Sequence, residues 1–170
     1  MVKVIFMDCD GVLTDGTYHY SKDGKIMKLF SSIDSKGIEQ ALSQNIHLAV
    51  ITEDPTGFEI TKARCQDMRI PAYQVKGAMG KLRLAKELCK RWHLTLAECA
   101  FIGDDIGDLE ILSEVGLPIA VANATDSVKQ IVTQRNGYLT RRPGGYGAVR
   151  EAIDWILHPK NGNQLELINW

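Results

Sequence analysis

The chain opens with an apolar run, Val2 to Met7, that stops abruptly at Asp8-Cys9-Asp10-Gly11. Val4, Ile5 and Phe6 favour a strand, and nothing before Asp8 interrupts it. So apolar a strand is expected to be buried. Side chains two apart on an extended backbone share a face, which would set Asp8 and Asp10 side by side. Two such carboxylates repel each other unless a cation or a shared proton relieves them. Burial raises that cost. A metal-assisted active site and a calcium loop both fit this much. An EF-hand loop needs a third oxygen ligand two residues after the second, then a glycine, then a closing glutamate. Val12 occupies that third position, and a strand precedes the turn instead of a helix. The calcium loop is excluded.

Further along, strands and helices alternate. Thr17–Tyr20 and Lys25–Phe30 flank Ser21-Lys22-Asp23-Gly24, which reads as a β-hairpin. Helical spacing is expected over Asp34–Asn45, capped by Ser32 or Asp34, and over Glu59–Met68, Lys81–Trp92, Asp108–Val115, Asp126–Thr133 and Ala148–Leu157. Ile46–Ile51, Ala72–Val75, Ala100–Ile102 and Pro118–Val121 read as strands between them. This order predicts an α/β fold, a doubly wound (Rossmann-like) parallel sheet covered on both faces. At 170 residues one domain is expected, spanning 1–158 with a C-terminal tail over 159–170.

Composition narrows the partners. A net charge of -1 offers nothing to attract nucleic acid or an anionic membrane surface. No apolar segment is long enough to span a bilayer. Cys9, Cys65, Cys89 and Cys99 lack paired metal spacing and follow no signal peptide, the pattern of reduced thiols in a cytoplasm.

In a doubly wound sheet, ligands collect beyond the carboxyl ends of the strands. The first strand ends in Asp8 and Asp10, the next in Thr52, and a later one in Asp104 and Asp105, while Lys81 opens the intervening helix. Carboxylates from two strand ends make an oxygen-rich site suited to magnesium, which also accepts phosphate oxygens. A hydroxyl and an ammonium could meet the remaining phosphoryl oxygens. A carboxylate can attack phosphorus. Together these groups suffice for phosphoryl transfer.

Asp-x-Asp-Gly after the first strand, Thr52 after the second, Lys81, and Gly103-Asp104-Asp105-x-x-Asp108 resemble the four motifs of haloacid-dehalogenase-type phosphatases over nearly the whole chain. The resemblance implies Asp8 as nucleophile, Asp10 as general acid and base, and Mg2+ held by Asp8, the Asp10 carbonyl and Asp104. It implies phosphoryl binding by Thr52 and Lys81, with Asp108 orienting Lys81 and Asp105 supporting the metal shell. The segments between the motifs leave no room for a cap domain. Thr14-Asp15-Gly16, Gly77, Thr140-Arg141 and Gly144-Gly145-x-Gly147-Ala148-Val149-Arg150-Glu151 further resemble the capless subfamily that dephosphorylates 2-keto-3-deoxy sugar acids. That subfamily implies a phosphorylated sugar acid as substrate, an octulosonate 8-phosphate or a nonulosonate 9-phosphate. It also implies a homotetramer in which the hairpin of residues 17–30 is a flap shaping a neighbour's site.

Two residues depart from the octulosonate pattern, in which the second motif is Thr-Gly-Arg. Here Glu53 stands for the glycine and Asp54 for the base, and an acid at that point is closer to the nonulosonate type. Tyr146 stands where a basic residue is frequent. Asp54, Arg141 and Arg64 are candidates for substrate contact, although Arg141-Arg142, Lys62 and Arg64 also read as ordinary solvated surface. The four histidines show no ligand spacing. Gly144–Gly147 lacks the context of a dinucleotide loop, and Gly80-Lys81-Leu82 lacks a P-loop's upstream glycine and hydroxyl. A receiver-like phosphoacceptor and a catalytically weak tetramerisation module are the alternatives on the same fold.

Overall fold

The computed structural model describes residues 1–77 and 79–158, so the expected tail of 159–170 lies outside the described residues. The strands are β1 (Val4–Met7), β2 (His19–Ser21), β3 (Gly24–Met27), β4 (His47–Thr52), β5 (Ala72–Gln74), β6 (Cys99–Gly103), β7 (Leu117–Ala120) and β8 (Tyr138–Leu139). The helices are α1 (Ser32–Ser43), α2 (Phe58–Asp67), α3 (Gly80–Arg91), α4 (Leu109–Glu114), α5 (Asp126–Gln134) and α6 (Ala148–Leu157). Six strands form one parallel sheet in the order β5-β4-β1-β6-β7-β8, and β2 pairs with β3 as an antiparallel hairpin.

The chain builds outward from β1 through β4 to β5, then crosses back by α3 to add β6, β7 and β8 on the other side. Right-handed crossovers therefore put α1 and α2 on one face and α3, α4 and α5 on the other. The winding reverses at β1, and the crevice opens beyond the carboxyl ends of β1 and its neighbours. Register fixes its floor, since Met7 lies opposite Val50 of β4 and Ile102 of β6.

Burial explains why β1 reads as a continuous apolar run. All four of its residues are inaccessible, and Phe101 and Ile102 beside them are equally so. Each such side chain contributes about 1.5–3 kcal/mol on leaving water. On α3 the expected stripe of Leu82, Ala85, Leu88 and Cys89 is buried. The residue capping this helix, Trp92, stacks on Phe6 with ring centroids 6.1 Å apart and on His47 at 4.7 Å. Thus α3 covers the face of β1 that carries Phe6. Asp8, two residues on, continues that face toward the first turn of α3.

Elsewhere the structure corrects local expectations. The hairpin strands are shorter than their β-favouring residues suggest. The cap of α1 is Ser31, whose side chain accepts from Ile33 N, in place of Ser32 or Asp34. Asp34 is instead buried and accepts from the backbone N of Arg150 at 2.8 Å, fastening α1 to the first turn of α6. Strand β8 and a 3-10 turn over Leu96–Glu98, closed by a Thr95/Glu98 capping box, were not expected. Both are shorter than any periodic pattern can reveal.

Losing the Asp34 anchor leaves a buried N–H without a partner, whereas losing the Ser31 cap exposes its donor to water. Asp34→Ala should therefore lower stability by about 1–3 kcal/mol and Ser31→Ala by about 1 kcal/mol. Urea unfolding would check the order; an equal or smaller loss for Asp34→Ala contradicts the assignment.

Candidate active site

Three strand ends and one helix start supply the site. Asp8 follows β1, and its backbone N still donates to Ile102 O of β6, holding it in line with the sheet. Its Oδ1 accepts from Cys9 N at 2.7 Å, and its Oδ2 pairs with Lys81 Nζ at 2.7 Å. The same ammonium meets Asp108 Oδ1 at 2.6 Å. Asp108 Oδ2 in turn accepts from the backbone N of Asp104 at 2.9 Å and of Asp105 at 3.3 Å. Lys81 is buried in the first turn of α3, where the helix dipole opposes a cation. Two flanking carboxylates outweigh that opposition. They also hold the lysine above its ordinary pKa, although burial alone would lower it.

The acids do not balance so evenly. Oxygens of Asp8, Asp104 and Asp108 lie within 4.8 Å of one another, and Lys81 is the cation shared between two of them. Burial, then the charge of Asp108, push Asp8 up to about 7 against the pull of Lys81. Burial, then Asp8 and Asp108, push Asp104 up to about 8. Asp104 Oδ1 is buried with no hydrogen-bond partner. A divalent cation fits this arrangement: the donors are hard oxygens, one is orphaned, and Asp108 is already satisfied by Lys81 and two N–H groups. Gly11 makes the close approach possible. With φ +86° and the Asp104 carboxylate where a side chain would begin, the position strongly favours glycine.

Asp10 lies outside the group formed by Asp8, Asp104 and Asp108, which the sequence pattern did not anticipate. The extended backbone ends at Met7, and Val12, Leu13 and Thr14 all donate back to Cys9 O in a tight turn. Asp10 consequently faces another lysine, with Oδ2 at 2.8 Å from Lys28 Nζ. Each acid has its own cation.

Thr52, buried at the end of β4, accepts from Asp54 N at 3.2 Å. Asp54 Oδ1 accepts from the backbone of Thr56 and Gly57, while its Oδ2 lies 2.8 Å from both Lys25 and Lys28. Burial would raise the Asp54 pKa, but the two lysines hold it well below the usual carboxylate range. Glu53, Asp105, Ile106 and Gly107 join Asp8, Lys81 and Asp108 around a cleft of about 460 Å³. Arg141 is exposed on the loop after β8. Arg64 turns away from the acids, donating to Ser35 and lying 5.9 Å over the Phe30 ring. Lys62 is exposed and 3.6 Å from Glu59.

Of three residues that build the site without an expected role, Asn123 and Lys28 carried no motif and Glu151 closed the glycine segment. Asn123 bridges the first turn to the glycine segment, donating to Gly11 O at 3.0 Å and accepting from Gly144 N at 2.6 Å. Gly144 packs so closely that any side chain would strike the carbonyl oxygens of Gly11 and Thr14. Glu151 accepts from Tyr138 Oη and from the backbone of Arg141 and Arg142, tying down the adjoining loop. The third is Lys28, whose only outward sign is a cation interrupting an apolar hairpin strand.

A profile of haloacid dehalogenase-like hydrolases matches residues 10–136 of the chain. The 3-deoxy-D-manno-octulosonate 8-phosphate phosphatase of Escherichia coli K12 is 33% identical over 92% of the chain and 79% of that enzyme. The chain is a haloacid dehalogenase-like hydrolase. Its fold matches the crystal structure of the octulosonate phosphatase from Moraxella catarrhalis in complex with magnesium, phosphate and the sugar acid, with a TM-score of 0.82 at 32% identity. That match covers 92% of this chain and 86% of the other. The cobalt-bound enzyme of Haemophilus influenzae also gives 0.82, at 34% identity over 92% and 88% of the two chains. This member of the family is a phosphatase with the capless sheet and hairpin described above. No helix among the described residues is long and apolar enough to cross a membrane.

Raised carboxyl pKa values have a definite sign. Folded Asp8 and Asp104 hold their protons more tightly than the unfolded chain, whose carboxyls titrate near about 4. Their contribution to stability is complete below about pH 4 and is lost as pH rises through about 7 and 8. In chelator, the melting temperature should fall across that window, and Asp104→Asn should flatten the fall and melt above wild type at the upper end. A variant melting below wild type there contradicts the balance of charge described.

Proposed function

We propose that the chain is a magnesium-dependent phosphomonoesterase that hydrolyses 2-keto-3-deoxy sugar acid phosphates through an aspartyl phosphate. The observation that carries this reading is the Asp8–Lys81–Asp108 chain beside the orphaned Asp104 oxygen, at the carboxyl edge of β1 and β6. Asp8 attacks phosphorus, and the bond from phosphorus to the ester oxygen breaks. Asp10 gives its proton to the departing alcohol. Asp10 then takes a proton from water, whose oxygen attacks phosphorus, and the Asp8–phosphorus bond breaks to release phosphate. Thr52 and Lys81 bind the phosphoryl oxygens, Asp108 fixes the Lys81 ammonium, and Asp105 supports the metal shell. Magnesium held by Asp8, the Asp10 carbonyl and Asp104 would neutralise phosphoryl charge and keep Asp8 ionised at neutral pH.

The named relatives support an octulosonate 8-phosphate as substrate. Glu53 at the cleft and Asp54, locked to two lysines, favour a nonulosonate 9-phosphate as the second reading. Arg141 and Arg64 are the cations we assign to the substrate carboxylate, Arg64 after leaving Ser35. The hairpin exposes Tyr18, Tyr20, Ile26, Met27 and Leu29, which supports its covering by a neighbouring subunit in a homotetramer. Four free, buried cysteines support a cytoplasmic setting.

Phosphate release should be many turnovers per chain with magnesium and vanish with chelator. Asp8→Asn should abolish turnover while keeping the wild-type circular dichroism spectrum; full activity in that variant refutes the reading. Comparing octulosonate 8-phosphate with nonulosonate 9-phosphates decides the substrate, and preference for simple sugar phosphates over both would overturn the substrate class.

A further inference from the structure

Among the described residues, Lys28 is the most deeply buried cation whose partner lies outside the Asp8–Lys81–Asp108 group. Its side chain is wholly inaccessible and its ammonium meets three oxygens: Asp10 Oδ2 at 2.8 Å, Asp54 Oδ2 at 2.8 Å and Thr61 Oγ1 at 3.1 Å. Two of its three donors bond to Asp10 and Thr61, and Asp54 pairs with the same ammonium by charge. The partners come from the first turn, the segment after β4 and α2, while Lys28 itself follows β3 of the hairpin. Lys25 adds a second cation on Asp54 at 2.8 Å. Asp54 is thereby pinned from both sides, by the lysines on one oxygen and by the Thr56 and Gly57 backbone on the other. A buried lysine is costly unless its position is of use, because hydrophobic side chains of similar volume would pack there without desolvation.

We propose that Lys28 is a positioning residue that fixes the Asp10 carboxyl for proton transfer to the leaving oxygen, with Asp54 and Thr61 fixing Lys28. The inference rests on the phosphatase reading above and adds a role for the hairpin within its own chain. Among the described residues nothing else polar holds Asp10 firmly. Its other oxygen receives only the Thr14 hydroxyl, at 3.5 Å. The mechanism makes proton delivery matter in proportion to how poor the leaving group is. An alkoxide needs the proton; a nitrophenolate leaves without it.

The experiment is a comparison of leaving groups. Lys28→Met and wild type are assayed with magnesium on p-nitrophenyl phosphate and on octulosonate 8-phosphate, with kcat and KM separated. Lys28→Met should lower kcat on the sugar acid phosphate by on the order of a hundredfold, while its KM and the pre-steady-state burst of p-nitrophenolate, which reports attack by Asp8 before the hydrolysis step shared by both substrates, change little. Lys28→Arg should recover part of the loss. Gly57→Ala serves as a second route, because its methyl group would strike Asp54 Oδ2 and fall 2.6 Å from Lys28 Cε, displacing the Lys28–Asp54 pair without removing either residue. It should reproduce the selective loss even if Lys28→Met does not fold. A p-nitrophenolate burst slowed as much as turnover of the sugar acid phosphate, or no loss in either, in the folded variants would overturn the role of Lys28. Absence of wild-type turnover on both substrates would instead overturn the phosphatase reading itself.

Discussion

Crowding of like charge at one edge of the sheet is the constraint around which the rest is arranged. Asp8, Asp104 and Asp108 converge because β1 and β6 are adjacent and parallel, so their ends deliver carboxylates to one place. Left alone, such a cluster would drive the ends apart or hold protons at neutral pH. Lys81 offsets part of the repulsion from the start of α3, and it can do so because Trp92 and the apolar stripe clamp that helix onto the Phe6 face of β1. Core packing and site chemistry are therefore one structure. The charge that Lys81 leaves unbalanced falls on Asp104, the member of this cluster with an unpartnered buried oxygen.

A second charged layer lies beside the first. Asp10 is kept out of the Asp8 group by the turn after β1 and paired with Lys28, which is seated by Asp54 and Thr61. Separation of the two acids onto two lysines gives them different environments, which is how neighbouring carboxyls come to do different chemistry. The same layer accounts for Asp54. An acid at that position, in place of the base of related enzymes, matches the paired lysines of the hairpin, so the departure is a change of partner instead of a defect.

Much of this was legible in the sequence. The β1 run, the α3 stripe and the full extent of α6 follow from side-chain periodicity, which operates over a few residues and needs no tertiary knowledge. Carboxylates at strand ends were legible because the doubly wound topology says where strand ends meet. What escaped depends on distant partners. Strand β8 exists because Tyr138 and Leu139 pair with β7, and two residues carry no periodic signal. Asp34 looked like a cap until α6 arrived to claim it. Lys28 and Asn123 are ordinary in composition, Glu151 was legible only as the end of the glycine segment, and the folding back of hairpin and glycine segment is what gives the three work.

Calorimetric titration with magnesium at neutral pH, repeated in buffers of different ionisation enthalpy, addresses the central claim most directly. Wild type should bind a single ion per chain with release of protons, because the cation displaces those that burial holds on Asp8 and Asp104. Asp104→Asn should lose that binding. Absence of binding to the wild type, or the same binding and proton release after the substitution, would contradict the account.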